Sequence, residues 1–171
     1  RARRGLYLSF QTPYEIPGIS VENFIRQALL ARGEKTSIVK FKKALEKKME
    51  LLDMKPEYAS RYLNVGFSGG ERKKTEILQL LMLDPKLAIL DETDSGLDVD
   101  AVATVSRGLK EYLDGEKSAI IITHHREILK EIHPDFVHVI NNGRIVTEGG
   151  DEIIDRIEEE GFGWIKDEQH A

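Results

Sequence analysis

Leu87-Ala88-Ile89-Leu90-Asp91-Glu92-Thr93-Asp94-Ser95-Gly96-Leu97-Asp98 is the stretch that decides how this sequence folds. It opens with four unbroken apolar residues and then turns abruptly to carboxylates. A short apolar run of this kind suits a strand in a parallel sheet buried on both faces. Residues 119–123 (AIIIT) form a second such run. Between the two lies a helical pattern, residues 99–113, ended by Asp114-Gly115. Strand, helix and strand at this spacing make a βαβ unit and predict an α/β fold with a parallel core sheet. Asp91 and Glu92 then stand at the carboxyl edge of that sheet, where α/β proteins bind ligands.

Working outward toward the N-terminus, residues 5–11 (GLYLSFQ) read as a strand that ends at the turn-like Thr12-Pro13, and Pro17-Gly18 marks a loop. Ser20 is a candidate N-cap, with Asn23 in place of the usual Glu or Gln of a capping box. The helix it opens runs through Phe24, Ile25, Ala28 and Leu29, and Gly33 ends it. A second helix covers residues 38–54, with Phe41, Leu45, Met49 and Leu52 on its apolar face and lysines between them, which suit a solvated outer face or, alternatively, a basic docking surface. A third follows Gly70 and runs from Glu71 to about Leu83, where Asp84-Pro85 breaks it. Toward the C-terminus, residues 136–140 and 144–147 flank Asn142-Gly143, a strong hairpin signal. An acidic amphipathic helix follows over residues 152–160.

Composition narrows the function classes. With 171 residues, 40% apolar and 32% charged, the chain can bury a core. A net charge of −5 argues against a protein held to nucleic acid mainly by counterion release. The absence of cysteine excludes disulfides and thiolate ligation by this chain. No apolar run approaches the roughly 20 residues needed to span a bilayer. The basic start Arg1-Ala2-Arg3-Arg4 is not followed by the apolar segment of a signal peptide. These features together suit the cytoplasm.

Two segments carry chemistry. Asp91 could hold a magnesium ion, and Glu92 beside it could orient or deprotonate an attacking water. Phe67-Ser68-Gly69-Gly70-Glu71 precedes the third helix; its hydroxyl, its two glycines and the helix start behind them suit phosphate oxygens. Taken singly, each also fits an ordinary turn. Their order does not. The chain resembles the ABC ATPase family, in which a Q-loop, a helical insertion, a Leu-Ser-Gly-Gly-Gln signature, a Walker B strand, a D-loop and a Thr-His strand end follow one another. Here these are Gln11, the helices that follow it, Ser68-Gly69-Gly70-Glu71, Asp91-Glu92, Ser95-Gly96-Leu97-Asp98 and Thr123-His124.

The resemblance narrows further. Residues 8–13 (LSFQTP), 16–18 (IPG), 65–71 (VGFSGGE) and 91–98 (DETDSGLD) look like the SufC subfamily, the ATPases of the Suf iron–sulfur cluster assembly machinery. Glu71 stands where transporters usually have Gln, and Asp94 to Asp98 replace the more usual Thr-Ser-Ala-Leu-Asp. The resemblance implies ATP and Mg2+ as ligands. It implies that Gln11 senses the metal and the γ-phosphate, that Ser68, Gly69 and Gly70, with Glu71 closing the signature, contact a nucleotide held by a partner protomer, and that Asp91 assists the metal. Glu92 would be the catalytic base, His124 would bond the γ-phosphate, and Asp98 with its loop would cross a homodimer interface. SufB- and SufD-like scaffold proteins are the implied partners. The nucleotide-binding subunit of a membrane transporter, the C-terminal lobe of an SMC-type or DNA-repair ATPase and a non-catalytic docking fragment are the rival readings.

One element is absent from these 171 residues: the phosphate loop G-x-x-x-x-G-K-[ST]. Gly115-Glu116-Lys117-Ser118 is a poor imitation, because it precedes a strand instead of following one. The expectation is a partial ABC ATPase domain over residues 1–171. Residues from about 20 to 83 form its helical signature subdomain, and residues 1–19 and 84–171 contribute to the α/β core. Such a piece is expected to lack turnover of its own.

Overall fold

The computed structural model describes residues 1–113, 116–123, 127–129 and 132–164. Two compact units divide the chain, Arg1–Glu131 and Ile132–Ala171.

The first unit is built on a parallel three-stranded sheet. Strand β1 (Leu6–Ser9) enters it, leaves it, and the chain then forms β2 (Ile16–Ser20), helix α1 (Val21–Ala31), helix α2 (Ile38–Leu51) and the two-residue β3 (Tyr62–Leu63). Helix α3 (Gly69–Leu83) leads to β4 (Leu87–Asp91), α4 (Val99–Tyr112) and β5 (Ser118–Ile122). The sheet order is β1-β4-β5, with Leu6 opposite Leu87, Ser9 opposite Leu90 and Asp91 opposite Ile122. The βαβ unit read from the sequence is therefore present. Tyr112 closes it from below: its buried ring carries a hydroxyl that donates to the carbonyls of Pro85 and Ser118, each at 3.2 Å.

The central strand β4 is the best covered, with Ala88 and Leu90 fully buried. Helix α3 is buried along most of its length, Ile77, Leu78 and Leu80 completely, so it reads as a core helix and not as an amphipathic surface one. Helix α4 lies against it at Gly108, where an added Cβ would meet Ile77 Cγ2 at 2.5 Å and Leu52 Cδ2 at 2.8 Å. Glycine is there for proximity, not for backbone freedom. Helices α1 and α2 use Val21, Ile25 and Leu29, and Phe41, Leu45 and Met49, at four-residue spacing. Ser20 and Ser37 cap them through their hydroxyls.

Three expectations need correction. The first strand ends at Ser9, so Phe10 and Gln11 lie outside it. Pro17-Gly18 is not a plain loop: it sits within β2, an irregular strand paired antiparallel with β3, where Gly18 takes φ 87° at the bulge. Proline is tolerated there because the short ribbon leaves an edge. The third concerns burial. Residues of β5 alternate exposed and half-buried, with Ile120 and Ile122 about half exposed, as is Leu8 of β1. Among the described residues, only the sheet face bearing Ser9, Ala88 and Leu90 is well covered.

The second unit holds the hairpin of β6 (Val137–Asn141) and β7 (Arg144–Gly149) and helix α5 (Glu152–Glu160). Asn142 and Gly143 both have positive φ, as the tight hairpin turn requires. Val139, Ile153 and Trp164 form its small core. No helix among the described residues is long and apolar enough to cross a membrane.

Candidate active site

The end of β4 places the two acids. Asp91 is its last residue, and Glu92 turns away with φ 46°, a left-handed conformation that costs a non-glycine residue of order 1–3 kcal/mol. The backbone N–H of Glu92 donates to the carbonyl of Ile122 at 2.9 Å, which fixes the turn to the end of β5. Into this corner comes Gln11, whose amide Nε2 donates to Glu92 Oε2 at 2.7 Å. Two residues singled out from the sequence are thus in contact.

Gln11 is held by its backbone. Lys73 Nζ, on α3, donates to the carbonyls of Phe10 and Gln11 at 3.3 and 3.1 Å. Phe10 N–H donates to Glu76 Oε1 at 3.2 Å, and Lys73 and Glu76 face each other at 3.5 Å, both nearly buried. Burial raises the Glu76 carboxyl above its ordinary range, against the pull of the Lys73 charge. Tyr7 donates to the Glu76 carbonyl at 2.9 Å, and burial, helped by the Glu76 charge, raises its phenol well above the usual value. The segment that carries Gln11 hangs from the same helix that begins with the signature.

That helix begins with a full capping box. Ser68 Oγ accepts from Glu71 N–H at 3.3 Å, and Ser68 N–H donates to Glu71 Oε2 at 2.7 Å. The N–H groups of Gly69 and Gly70 lie in the first turn, where no intrahelical acceptor exists for them. A Cβ at Gly69 would meet nothing within 4 Å, and one at Gly70 only ordinary contacts. Neither glycine has the positive φ that would require it. Packing within the chain therefore does not explain the pair. Glycines without side chains leave that helix start open to close approach by a ligand.

The remaining elements are placed less evenly. Asp98 caps α4, its Oδ1 accepting from Ala101 N–H at 2.8 Å, so that carboxylate has a local structural task. Ser95 lines a groove with Gln11, Pro13, Phe67, Gly69 and Lys73, which brings Q-loop, signature and D-loop segments to one surface. Asp94 is buried and accepts from the Thr123 hydroxyl at 2.7 Å, tying the D-loop to the end of β5. His124, next along the chain, lies outside the described residues. Lys73, Glu76, Tyr58 and Arg61 were not singled out in the sequence, and Asp94 entered only as the start of the loop that ends at Asp98. Only the three-residue spacing of Lys73 and Glu76 on one helix was a signal.

Solved structures share this fold. A chain described as "Structure of ATP binding subunit of ABC transporter" superposes with a TM-score of 0.74 at 23% identity, covering 99% of this chain and 70% of that one. The "Dimeric Structure of MJ0796, a Bacterial ABC Transporter Cassette" does so with 0.72 at 18% identity, covering 86% and 63%. The fold is accordingly that of the ABC cassettes, in the α/β class of phosphate-loop NTPase-like folds. Within that class the ABC transporter family matches residues 1–95, and this chain belongs to it.

Curated relatives agree. "Vegetative protein 296" of Bacillus subtilis is 49% identical over 98% of this chain, and "Probable ATP-dependent transporter SufC" of Escherichia coli is 45% identical over 99%. The chain spans 66% of the former, just under two thirds, and 70% of the latter.

Proposed function

We propose that this chain carries the signature, Walker B and D-loop parts of a SufC-like ATPase, whose hydrolysis of ATP drives iron–sulfur cluster assembly in the cytoplasm. The observation that carries the reading is the Gln11–Glu92 hydrogen bond at the carboxyl edge of the sheet, between residues 81 positions apart. A carboxylate aligned by a neighbouring amide is suited to orient a water and accept its proton. The glycine pair at the start of α3 offers two N–H groups and the positive end of a helix to phosphate oxygens.

In this proposal the whole 171 residues form part of one cassette. Residues from about 20 to 83 make its helical signature subdomain, and residues 1–19 and 84–171 contribute to the α/β core. A phosphate loop, which these residues do not contain, completes the site. Two protomers sandwich ATP between the phosphate loop of one and Ser68-Gly69-Gly70 of the other, with the loop ending at Asp98 crossing the interface. Glu92 acts as base and His124 bonds the γ-phosphate.

The donors fit a hard cation. Mg2+ needs one or two protein oxygens beside phosphates and water. Asp91 offers a carboxylate, and Gln11, with Nε2 given to Glu92, has its amide oxygen left to ligate. Bound there, the ion would neutralise phosphate charge.

The 45% identity to the Escherichia coli protein named SufC supports the assembly role. A 52% identity to "Probable ABC transporter ATP-binding protein SpyM3_0208" of Streptococcus pyogenes supports the transporter alternative. Affinity purification of the full-length protein discriminates them. Co-purification with SufB- and SufD-like scaffold proteins is the expected result. Co-purification with a membrane permease would replace the assembly role by the transporter one.

A further inference from the structure

Glu71 sits at a place that should be awkward. It is the last residue of the signature, in the first turn of α3, beside the two glycines whose N–H groups suit an anion. A mobile carboxylate there would repel phosphate. The structure removes that freedom from both ends. Glu71 Oε2 accepts from Ser68 N–H at 2.7 Å, and Glu71 Oε1 accepts from the hydroxyl of Tyr58. With each oxygen fixed by a donor from a different segment, the carboxylate has one orientation, turned toward the cap and the Tyr58 ring.

Tyr58 is itself braced. It lies in a single 3-10 turn, Pro56–Ser60, and its ring meets that of Phe67 edge to face with centroids 5.0 Å apart. The guanidinium of Arg61 stands 4.7 Å from the Tyr58 centroid and 4.5 Å from that of Phe67, and donates to the Gly66 carbonyl at 3.2 Å. Arg61 therefore grips two rings and the backbone just before Ser68. Phe67 is buried, whereas Ser68 and Gly69 are exposed. The bracing ends where the exposed segment begins.

We propose that Tyr58, backed by Arg61, is a positioning residue of the signature: the chain Tyr58 hydroxyl, Glu71 carboxylate, Ser68 amide sets the direction of the Ser68 hydroxyl. Ser68 Oγ uses one lone pair to accept from Glu71 N–H at 3.3 Å, so its single proton is left to donate outward. With the cap locked, that proton points away from the helix, toward the nucleotide. The Tyr58 hydroxyl holds the Glu71 carboxyl below its ordinary range, and Glu71 holds the phenol above its own. The pair thus remains phenol and carboxylate around neutral pH. This inference rests on the proposed contact between Ser68 and a terminal phosphate.

The test uses the full-length protein with Tyr58→Phe, Ser68→Ala and the double variant, each assayed for kcat and for the ATP concentration giving half-maximal rate. Tyr58→Phe keeps the ring packing and removes one hydrogen bond to a charged acceptor. It is expected to raise the half-maximal ATP concentration about tenfold with kcat changed less than about twofold, in line with the loss of one such bond. Added to Ser68→Ala, it is expected to cost nothing further. Faster hydrogen exchange at the Ser68 amide should accompany it. An unchanged ATP dependence in Tyr58→Phe beside a raised one in Ser68→Ala overturns the relay alone. So does an additive loss in the double variant, or a fall in kcat that only tracks a lower melting temperature. If Ser68→Ala itself changes nothing, the phosphate contact fails and the relay with it.

Discussion

The side-chain amide of Gln11 donates to the carboxylate of Glu92 across 2.7 Å, although 81 positions separate them in the chain. The contact is assembled from three directions. Strand β4 delivers Glu92, the tie to Ile122 fixes its left-handed turn, and Lys73 on α3 holds the carbonyls of Phe10 and Gln11. If Glu92 is the base, exchanging its carboxylate for an amide removes the proton acceptor and leaves the shape. Glu92→Gln in the full-length protein is therefore expected to lower turnover at least 10²-fold, the lower end of what a positioned base contributes. ATP-driven dimerisation, followed by size-exclusion chromatography, is expected to persist. Normal hydrolysis in this variant would show that the base is another group.

The second prediction concerns the chain of 171 residues by itself. The N–H cradle and lysine of a phosphate loop supply most of the grip on a triphosphate, and this sequence contains no such loop. Its own offer is Gly69 and Gly70 at a helix start, with the oxygens of Asp91 and Gln11. Binding of Mg-ATP is expected at millimolar affinity or weaker, about 4 kcal/mol or less, with no measurable turnover. Calorimetric titration checks this, and a micromolar constant would mean that these residues hold nucleotide unaided.

The parallel core and the site differ in how far they could be read in advance. The apolar runs at 87–90 and 119–123, the cap at Ser20 and the Asn142-Gly143 turn are local signals, and each produced the element expected of it. The site order was legible because motif spacing survives in one dimension. The support for it was not. Lys73 and Glu76 look like any charged pair on an exposed helix face, and only tertiary packing buries them beneath the Phe10–Gln11 segment. Tyr58 and Arg61 lie in a segment without periodicity, and what they hold comes later in the chain, Glu71 for Tyr58 and Gly66 with Phe67 for Arg61. The half-exposed faces of Ile120 and Ile122 also escaped the sequence reading. An apolar run tells what a strand can bury, not what is present to bury it.

Gly108 tests the packing of α4 on α3. Its missing side chain lets the helices approach until a Cβ would stand 2.5 Å from Ile77 Cγ2 and 2.8 Å from Leu52 Cδ2. Both neighbours are fully buried and have little room to withdraw. Alanine would ordinarily favour a helix by about 1 kcal/mol over glycine. Here overpacking should win, for a net loss of about 1–2 kcal/mol. Thermal melting of the chain should fall by several degrees. An unchanged or higher midpoint would show that the contact relaxes freely.

Glu76 supplies a prediction in pH. Its carboxyl is raised above the ordinary value near 4.5, first by burial, with the Lys73 charge opposing. A carboxyl raised in the folded state binds its proton more tightly there than in the unfolded chain. It therefore contributes stability that is fully present below the unfolded value and is lost as pH rises through the folded one. Glutamine mimics the protonated form and has no such dependence. Relative to Glu76→Gln, the parent chain should gain stability as pH falls from 7 toward 4.5, and the comparison cancels the titration of the remaining acids to the extent that they act independently. Paired urea melts at several pH values measure the difference. A flat difference would mean that Lys73 and the Phe10 N–H fully offset the burial of the charge. A difference of opposite slope would mean that they overcome it, leaving Glu76 an ionised clamp on the Gln11 segment.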